Sequence, residues 1–254
     1  MASVTDNSLL LFALSFTVLT LSARFGMLYR KRSPLPDEER ESFGVIINAT
    51  LTLLVLLIGF TFSMALTRYD QRKNLEEAEA NSIGTEFVRT DLLPASDGAK
   101  VRALLLNYID QRILFYTVRD RQKLQQIDAR TAKLQAELWS AVTAPALAQP
   151  TQVAALAVEG MNDVLNSQGY TQAAWWNRIP VAAWGLMILI SICGTALVGY
   201  DVINPAGNSR LLVVLPLIIS IAFFLIADIE SPRTGIIRVE PLDLMSLLKS
   251  LQAQ

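Results

Sequence analysis

The sequence predicts an all-α integral membrane protein, with four transmembrane helices and a helical domain inserted between helices 2 and 3. Three observations lead there. Apolar residues make up 52% of the 254 and the mean hydropathy is +0.37, above the roughly 45–50% apolar share of an ordinary soluble domain. Four stretches contain no Asp, Glu, Lys or Arg: 17 residues from Asn7 to Ala23, 26 from Ser42 to Thr67, 22 from Ile179 to Tyr200 and 17 from Leu211 to Ala227. Each is close to the roughly 20 helical residues that cross a hydrocarbon core of about 30 Å. Charge, finally, gathers between the second and third stretches: residues 68–178 hold 13 basic and 13 acidic residues, more than half of the chain's 22 and 23.

The segments follow in order. Residues 1–66 hold transmembrane helices 1 and 2. The tail before the first apolar run has no Lys or Arg and one acid, Asp6, while Arg24, Arg30, Lys31 and Arg32 come after it; a cleaved signal would show the reverse, so the span is expected to be retained. Residues 67–178 form the extramembrane helical domain, continuous with helix 2 because no Gly or Pro interrupts the chain before Gly84. Pro94, Ala95, Ser96, Asp97 and Gly98 then read as a stop, with Ser96 or Asp97 available to cap the next helix. Val101, Leu105, Tyr108, Arg112 and Phe115 share one helical face, as do Leu124, Ile127, Thr131, Leu134 and Leu138. A loop over Pro145–Pro150 is expected before a last helix carrying Val153, Leu156, Val158, Met161 and Leu165. Trp175 and Trp176 read as an interfacial aromatic belt and Pro180 as the first-turn proline of helix 3. Residues 179–229 supply transmembrane helices 3 and 4. Residues 230–254 are a C-terminal amphipathic tail, with Leu244, Leu247, Leu248 and Leu251 expected to lie on the membrane surface or a neighbour.

Composition closes many chemistries. Without histidine there are no imidazole metal sites, serine–histidine triads or imidazole acid–base steps. The single Cys193 excludes an intrachain disulfide and a thiolate cluster, and its place in the third apolar run suits a small packing residue. A net charge of −1 gives no basic field for nucleic acid. No enzyme activity, cofactor or metal is expected, and the partners are membrane lipid and small inorganic ions. The basic residues of the short first loop, Arg30, Lys31, Arg32 and Arg40 with Arg24 close by, place that loop in the cytoplasm and the N-terminus outside. Arg68, Arg72, Lys73, Arg178, Arg233, Arg238 and Lys249 nearly balance them, even with Arg210 added to the first side.

Helix 2 is the most informative segment. Asn48, Thr52, Leu56, Gly59, Ser63 and Thr67 recur every three or four residues and share a face. Lipid offers amide and hydroxyl groups no partners, so this face must meet another helix or water. Two readings stay open: Gly59, Ser63 and Thr67 as a small-residue packing seam, or the stripe as a pore lining. Beyond the membrane the helix carries Arg68, Asp70, Arg72, Lys73, Glu76, Glu77 and Glu79. These are candidate ion-selecting charges if the helix lines an axis, or a solvated face laced with pairs such as Asp70–Lys73 and Arg72–Glu76. Asp228 and Glu230 read as partners of an interfacial salt bridge.

Several runs have a family character. Leu57-Ile58-Gly59-Phe60-Thr61-Phe62-Ser63, the stretch through Arg68-Tyr69-Asp70, Ala80-Asn81-Ser82-Ile83-Gly84-Thr85, Asp91-Leu92-Leu93-Pro94, Arg178-Ile179-Pro180, and Asp228 through Pro232-Arg233 to Gly235-Ile236-Ile237-Arg238-Val239 together resemble the bacterial bestrophin-like family of membrane proteins. The similarity to bestrophins proper lies in helix 2 and in the layout of two spans, a helical domain and two spans. Bestrophins are homopentameric ion channels whose second span lines the pore and narrows it with apolar rings. The resemblance implies that Leu56 and Phe60 occupy the two later constriction positions and that Thr52, a hydroxyl rather than an apolar side chain, occupies the first. No acidic run resembles the calcium-binding clasp of animal bestrophins. The expected function is thus a homopentameric channel gated at apolar side chains. The alternative is a non-conducting oligomeric scaffold or sensor whose helical domain binds a partner.

Overall fold

The computed structural model describes residues 7–34, 36–202 and 211–253. Among these the secondary structure is helical, with no strand. Among the described residues eight α-helices follow one another: α1 Ser8–Arg32, α2 Arg40–Arg89, α3 Ala95–Thr117, α4 Arg121–Ala148, α5 Gln152–Trp176, α6 Val181–Asp201, α7 Val214–Ile229 and α8 Leu242–Gln252. Short 3-10 turns at Asp37–Glu39, Thr90–Leu92 and Leu211–Val213 join or precede them. Arg210, counted in the charge balance, lies outside the described residues, as do residues 1–6 of the first predicted segment.

The chain divides into two compact units, Met1–Arg68 with Arg178–Arg238, and Tyr69–Asn177 with Val239–Gln254. Among the described residues three helical stretches are long and apolar enough to cross a membrane: Ser8–Arg32, Arg40–Leu92 and Gln152–Asp201, the last containing α6. The fourth expected span corresponds to α7, an apolar helix of 16 residues.

In the first unit α1 packs on α6 and α7. The α1–α6 crossing is set by glycine. A Cβ on Gly26 would meet the Ala196 carbonyl, and one on Gly199 would meet the Ala23 carbonyl, so two small-residue seams let the backbones touch. Side chains lock the register: Ser22 Oγ donates to Ile192 O at 2.8 Å, Arg30 Nη1 to Tyr200 O and Asp201 O at 2.8 Å, and Tyr200 OH to Ser33 O at 2.6 Å. Arg30 thereby satisfies carbonyls at the α6 C-terminus, where a cation is also favoured by the helix dipole. Asp228, buried at the end of α7, accepts the Ile236 and Ile237 N–H groups at 2.8 Å and the Ser8 hydroxyl at 2.9 Å. Glu230 accepts the Ile179 N–H at 2.9 Å and lies 3.5 Å from Arg68 Nη1. Cys193 is exposed on α6 and borders a shallow apolar groove with Phe25, Tyr29 and Leu197. Within this chain Cys193 takes no part in the α1–α6 seam, whose α6 face is the one carrying Ala196 and Gly199.

The second unit is a helical bundle with its own core. The predicted faces of α3 and α4 are buried at Val101, Leu105, Tyr108, Arg112 and Phe115 on α3 and at Ile127, Thr131, Leu134 and Leu138 on α4, while Leu124, also predicted, is half-buried against the same core. Four expectations are corrected here. Pro145 does not open a loop: α4 runs through it to Ala148, where only a last-turn hydrogen bond is forfeited. Gly98 lies inside α3, pressed against the Thr90 carbonyl with no room for a Cβ, and α3 starts after Pro94 without a side-chain cap. On α5 the core face is Ala154, Ala157, Gly160, Met161 and Val164, while Val153 and Leu156 are exposed, because the closest helix approaches need the smallest side chains. Trp175 is buried edge-on to Phe115 and Tyr116 rather than in an aromatic belt. The C-terminal α8 packs on this core through Leu244, which is fully buried, and through Leu247, Leu248 and Leu251.

Candidate functional site: the bare face of α2

Within the first unit α2 is the least covered of the long apolar helices. Only 11% of its most apolar 18-residue stretch is buried, against 22% for Ser8–Arg32 and 28% for Gln152–Asp201. Across residues 42–67 the buried residues of α2 are Ile47, Leu54, Thr61 and Ala65, which are seven or four apart and form one line. At about 100° per residue the opposite line is Asn48, Thr52, Leu56, Gly59, Phe60, Ser63 and Thr67. All seven are exposed. Leu56 is 52% and Phe60 60% exposed.

The local chemistry of this face explains how it can stay uncovered by its own chain. Thr52 Oγ1 donates to Asn48 O at 2.7 Å and Thr67 Oγ1 to Ser63 O at 2.9 Å. Each hydroxyl thus satisfies its own hydrogen on the preceding turn and presents only acceptor lone pairs outward. A Cβ on Gly59 would meet nothing within 4 Å. Among the described residues the glycine therefore serves no helix contact within this chain, in contrast to Gly26 and Gly199.

The charged continuation of α2 sorts into two groups. Asp70, Lys73 and Glu77 are exposed and Arg68 is half-buried. Arg72, Glu76 and Glu79 are buried, at 0%, 1% and 0% exposure, and are used inside the second unit. Arg72 donates from Nε to Ala174 O at 3.2 Å and from Nη2 to Asn177 O at 3.1 Å, closing the C-terminus of α5. Glu76 Oε1 accepts the Leu244 N–H at 2.9 Å. Glu79 pairs with Arg112 and accepts from Thr171 Oγ1 at 3.2 Å and Tyr116 OH at 3.3 Å. Burial works against the Arg112 charge, yet Glu79 beside it holds the guanidinium above its usual range. Burial likewise pushes the Tyr108 and Tyr116 phenols up, keeping both protonated.

Periodicity placed these seven charges on one helix but could not say which were inside, because a face is defined only relative to what packs on it. One buried acid escaped it altogether. Glu86 is fully buried against Gly160, and neither carboxyl oxygen has a hydrogen-bond partner among the described residues. Its only sequence signal was its position seven residues after Glu79, a spacing that repeats one helix face. No group of three or more acid or cysteine side chains is placed to hold a metal among the described residues.

A family model described as the bestrophin-like domain matches residues 10–244. Among solved structures, a point variant of a bacterial bestrophin homologue from Klebsiella pneumoniae matches with a TM-score of 0.67 at 12% identity, covering 95% of this chain and 98% of that one. A second variant of the Klebsiella pneumoniae homologue gives 0.63 at 13% identity over 96% and 97%. A crystal structure described as a membrane protein gives 0.67 at 11% identity over 95% and 97%. At these identities the likeness is one of fold. No curated protein matches the sequence.

Proposed function

The chain belongs to the bestrophin-like family, and on that premise we propose that it is an oligomeric ion channel whose pore is lined by the bare face of α2. The observation that carries the reading is the exposure of Asn48, Thr52, Leu56, Gly59, Phe60, Ser63 and Thr67 directly opposite the buried line of the same helix. A stripe of amide, hydroxyl and glycine gains nothing from lipid. In a ring of copies, a homopentamer by the family resemblance, that stripe faces a common axis. The four-span topology, with α7 as the short fourth span and residues 67–178 as an inserted domain, belongs to the same proposal. So do the placement in a bacterial inner membrane, which rests on the family resemblance, and the N-terminus outside, which rests on the basic first loop.

In this arrangement Leu56 and Phe60 form two apolar rings one turn apart, the gate, where water is excluded until the rings widen. Thr52 sets a wider, hydrated ring before them. Of the charged continuation, Asp70, Lys73 and Glu77 remain available to bias ion sign, since Arg72, Glu76 and Glu79 are used internally. Chemistry at a bond is not required: ions move by exchanging hydration for the lining.

The test is ion flux from liposomes. Replacing Leu56 and Phe60 together with Ala should raise flux over wild type by removing the dewetting barrier; no flux from either protein would remove the gate and the channel together. The scaffold alternative draws on Gly59, whose open Cβ position suits close approach by another copy's helix. It predicts an oligomer without conduction.

A further inference from the structure

The loop that follows α7 has its backbone fully occupied. Asp228, 1% exposed, accepts the N–H of Ile236 at 2.9 and 2.8 Å and that of Ile237 at 2.8 Å. Ser231 O accepts the N–H groups of Thr234 at 3.2 Å and of Gly235 at 2.9 Å. Four consecutive backbone donors, Thr234 to Ile237, are thus satisfied inside the chain. Gly235 is pressed so closely into this turn that a Cβ would lie 3.0 Å from Ser231 O. Arg238 Nε donates to Gly235 O at 2.8 Å and closes the loop. What this framework holds outward is apolar: Ile236 is 74% and Ile237 36% exposed.

The charges around the loop are sorted by sign. The described acids at this end of the first unit are Asp228 and Glu230, 1% and 4% exposed. Both are used inside, Asp228 by the loop and the Ser8 hydroxyl, Glu230 by the Ile179 N–H and Arg68. The arginines lie outward: Arg178 and Arg238 are exposed and Arg233 is half-buried. The first exposed acid after the loop is Glu240. From Ser231 to Arg238 the surface therefore combines exposed apolar side chains with cations and carries no acid.

We propose that the Ser231–Arg238 loop is an anchor in the membrane interface, with Ile236 and Ile237 entering the edge of the bilayer and Arg238, Arg233 and Arg178 binding the phosphates of anionic phospholipids. Position supports it: the loop leaves the last turn of the apolar α7 and is tied through Asp228 to Ser8 at the start of α1, so it lies at the common end of two apolar helices. The backbone supports it as well. Irregular chain tolerates the edge of a bilayer where its polar groups already have partners, and the donors of Thr234 to Ile237 have them. Charge selects the lipid: guanidinium groups take phosphate oxygens through charge-assisted hydrogen bonds, and each cation near an anionic surface adds attraction that salt screens. The anchor rests on the membrane placement of the first unit and not on conduction.

The experiment places one nitroxide at Ile236→Cys in a Cys193→Ala background of the full-length protein, in nanodiscs of phosphatidylcholine alone or mixed with phosphatidylglycerol. Its collisions with dissolved oxygen and with a water-soluble nickel complex are compared. A reference label at Ile218→Cys, an exposed position within α7, reports the membrane placement by itself. The anchor predicts that the label at 236 is reached by oxygen and shielded from nickel, and that phosphatidylglycerol deepens the shielding. Phosphatidylglycerol retained on the purified protein, counted by native mass spectrometry, should fall about fivefold in Arg238→Gln and recover in Arg238→Lys, which keeps the charge. Phosphatidylcholine retention should not change. Ile236 and Arg238 are exposed, so these variants leave the core packing untouched. A label at 236 open to nickel while that at 218 is shielded overturns the anchor and leaves the membrane placement intact; both labels open overturn both. A label at 236 shielded from oxygen and nickel alike shows that another copy of the chain covers the loop, and equal behaviour in the two lipids removes the anionic headgroup. Either result overturns the anchor.

Discussion

Arg112 of α3 and Glu79 of α2 pair inside the helical unit where their side chains are only 1% and 0% exposed. The bidentate partner contact, Arg112 Nη2 to Glu79 Oε2 at 3.3 Å, is accompanied by donors from Thr171 on α5 and Tyr116 on α3, so one carboxylate gathers three helices. A buried pair is not in itself a large gain, because desolvation offsets the attraction, but removing one partner strands the other. Arg112→Ala or Glu79→Ala should each cost about 3–5 kcal/mol, seen as a lower thermal midpoint of helicity by circular dichroism. The double replacement Glu79→Ala with Arg112→Ala should cost clearly less than the two single changes added, and strict additivity would contradict the pairing.

The glycines of α1 and α6 make a second prediction by contrast. A side chain at Gly26 or Gly199 must displace the backbone of the facing helix, since the Ala196 and Ala23 carbonyls occupy its space. Gly26→Val or Gly199→Val should lower the melting temperature in detergent and broaden the size-exclusion peak, at a cost of about 1–3 kcal/mol or more. Gly59→Ala should leave the thermal stability of the protomer fold unchanged, because its Cβ position is open. If Gly59→Ala instead unfolds the protein as Gly26→Val does, the assignment of the two faces is wrong.

Glu86 supplies a pH dependence. Burial first, with Asp163 adding to it and Arg89 opposing, pushes its carboxyl up to about 8. A folded-state value above the unfolded one means the native protein holds the proton more tightly. The contribution is then fully present below the ordinary carboxyl range near 4.5 and is lost as pH rises from there through about 8. Within that window the slope from this one group is about 1.4 kcal/mol per pH unit at most. Chemical denaturation at several pH values should show stability of the helical unit falling toward alkaline pH, with Glu86→Gln flattening the curve. A wild-type stability that rises over the same window would contradict it.

The sequence carried the helical framework well. The unbroken run after Thr67 became part of the 50-residue α2, and the α3 and α4 faces were identified residue by residue. What it did not carry were choices that depend on the neighbour rather than on the helix. Period alone cannot distinguish Arg72, Glu76 and Glu79 from Asp70, Lys73 and Glu77, and hydrophobicity favoured Val153 and Leu156 over the Ala154, Ala157 and Gly160 that α5 actually buries. The tail is similar: Leu244, Leu247, Leu248 and Leu251 marked an amphipathic helix, but only the core of the second unit shows what they cover. The stripe on α2 was legible as a set, and the structure adds the direction it faces within the protomer.

The claim that this stripe faces a shared axis is tested most directly by crosslinking in the membrane. Cys193 is the only cysteine, so a Cys193→Ala background permits a single thiol at Ser63, on the bare face, or at Val181, an exposed position at the start of α6. Under oxidation the Ser63→Cys protein should form disulfide-linked dimers in high yield, because each axis-facing position meets its symmetry mates, while the Val181→Cys protein should remain monomeric. Ser63→Cys remaining monomeric under the same conditions would show that the bare face of α2 does not meet its own copies, and the pore reading would fall with it.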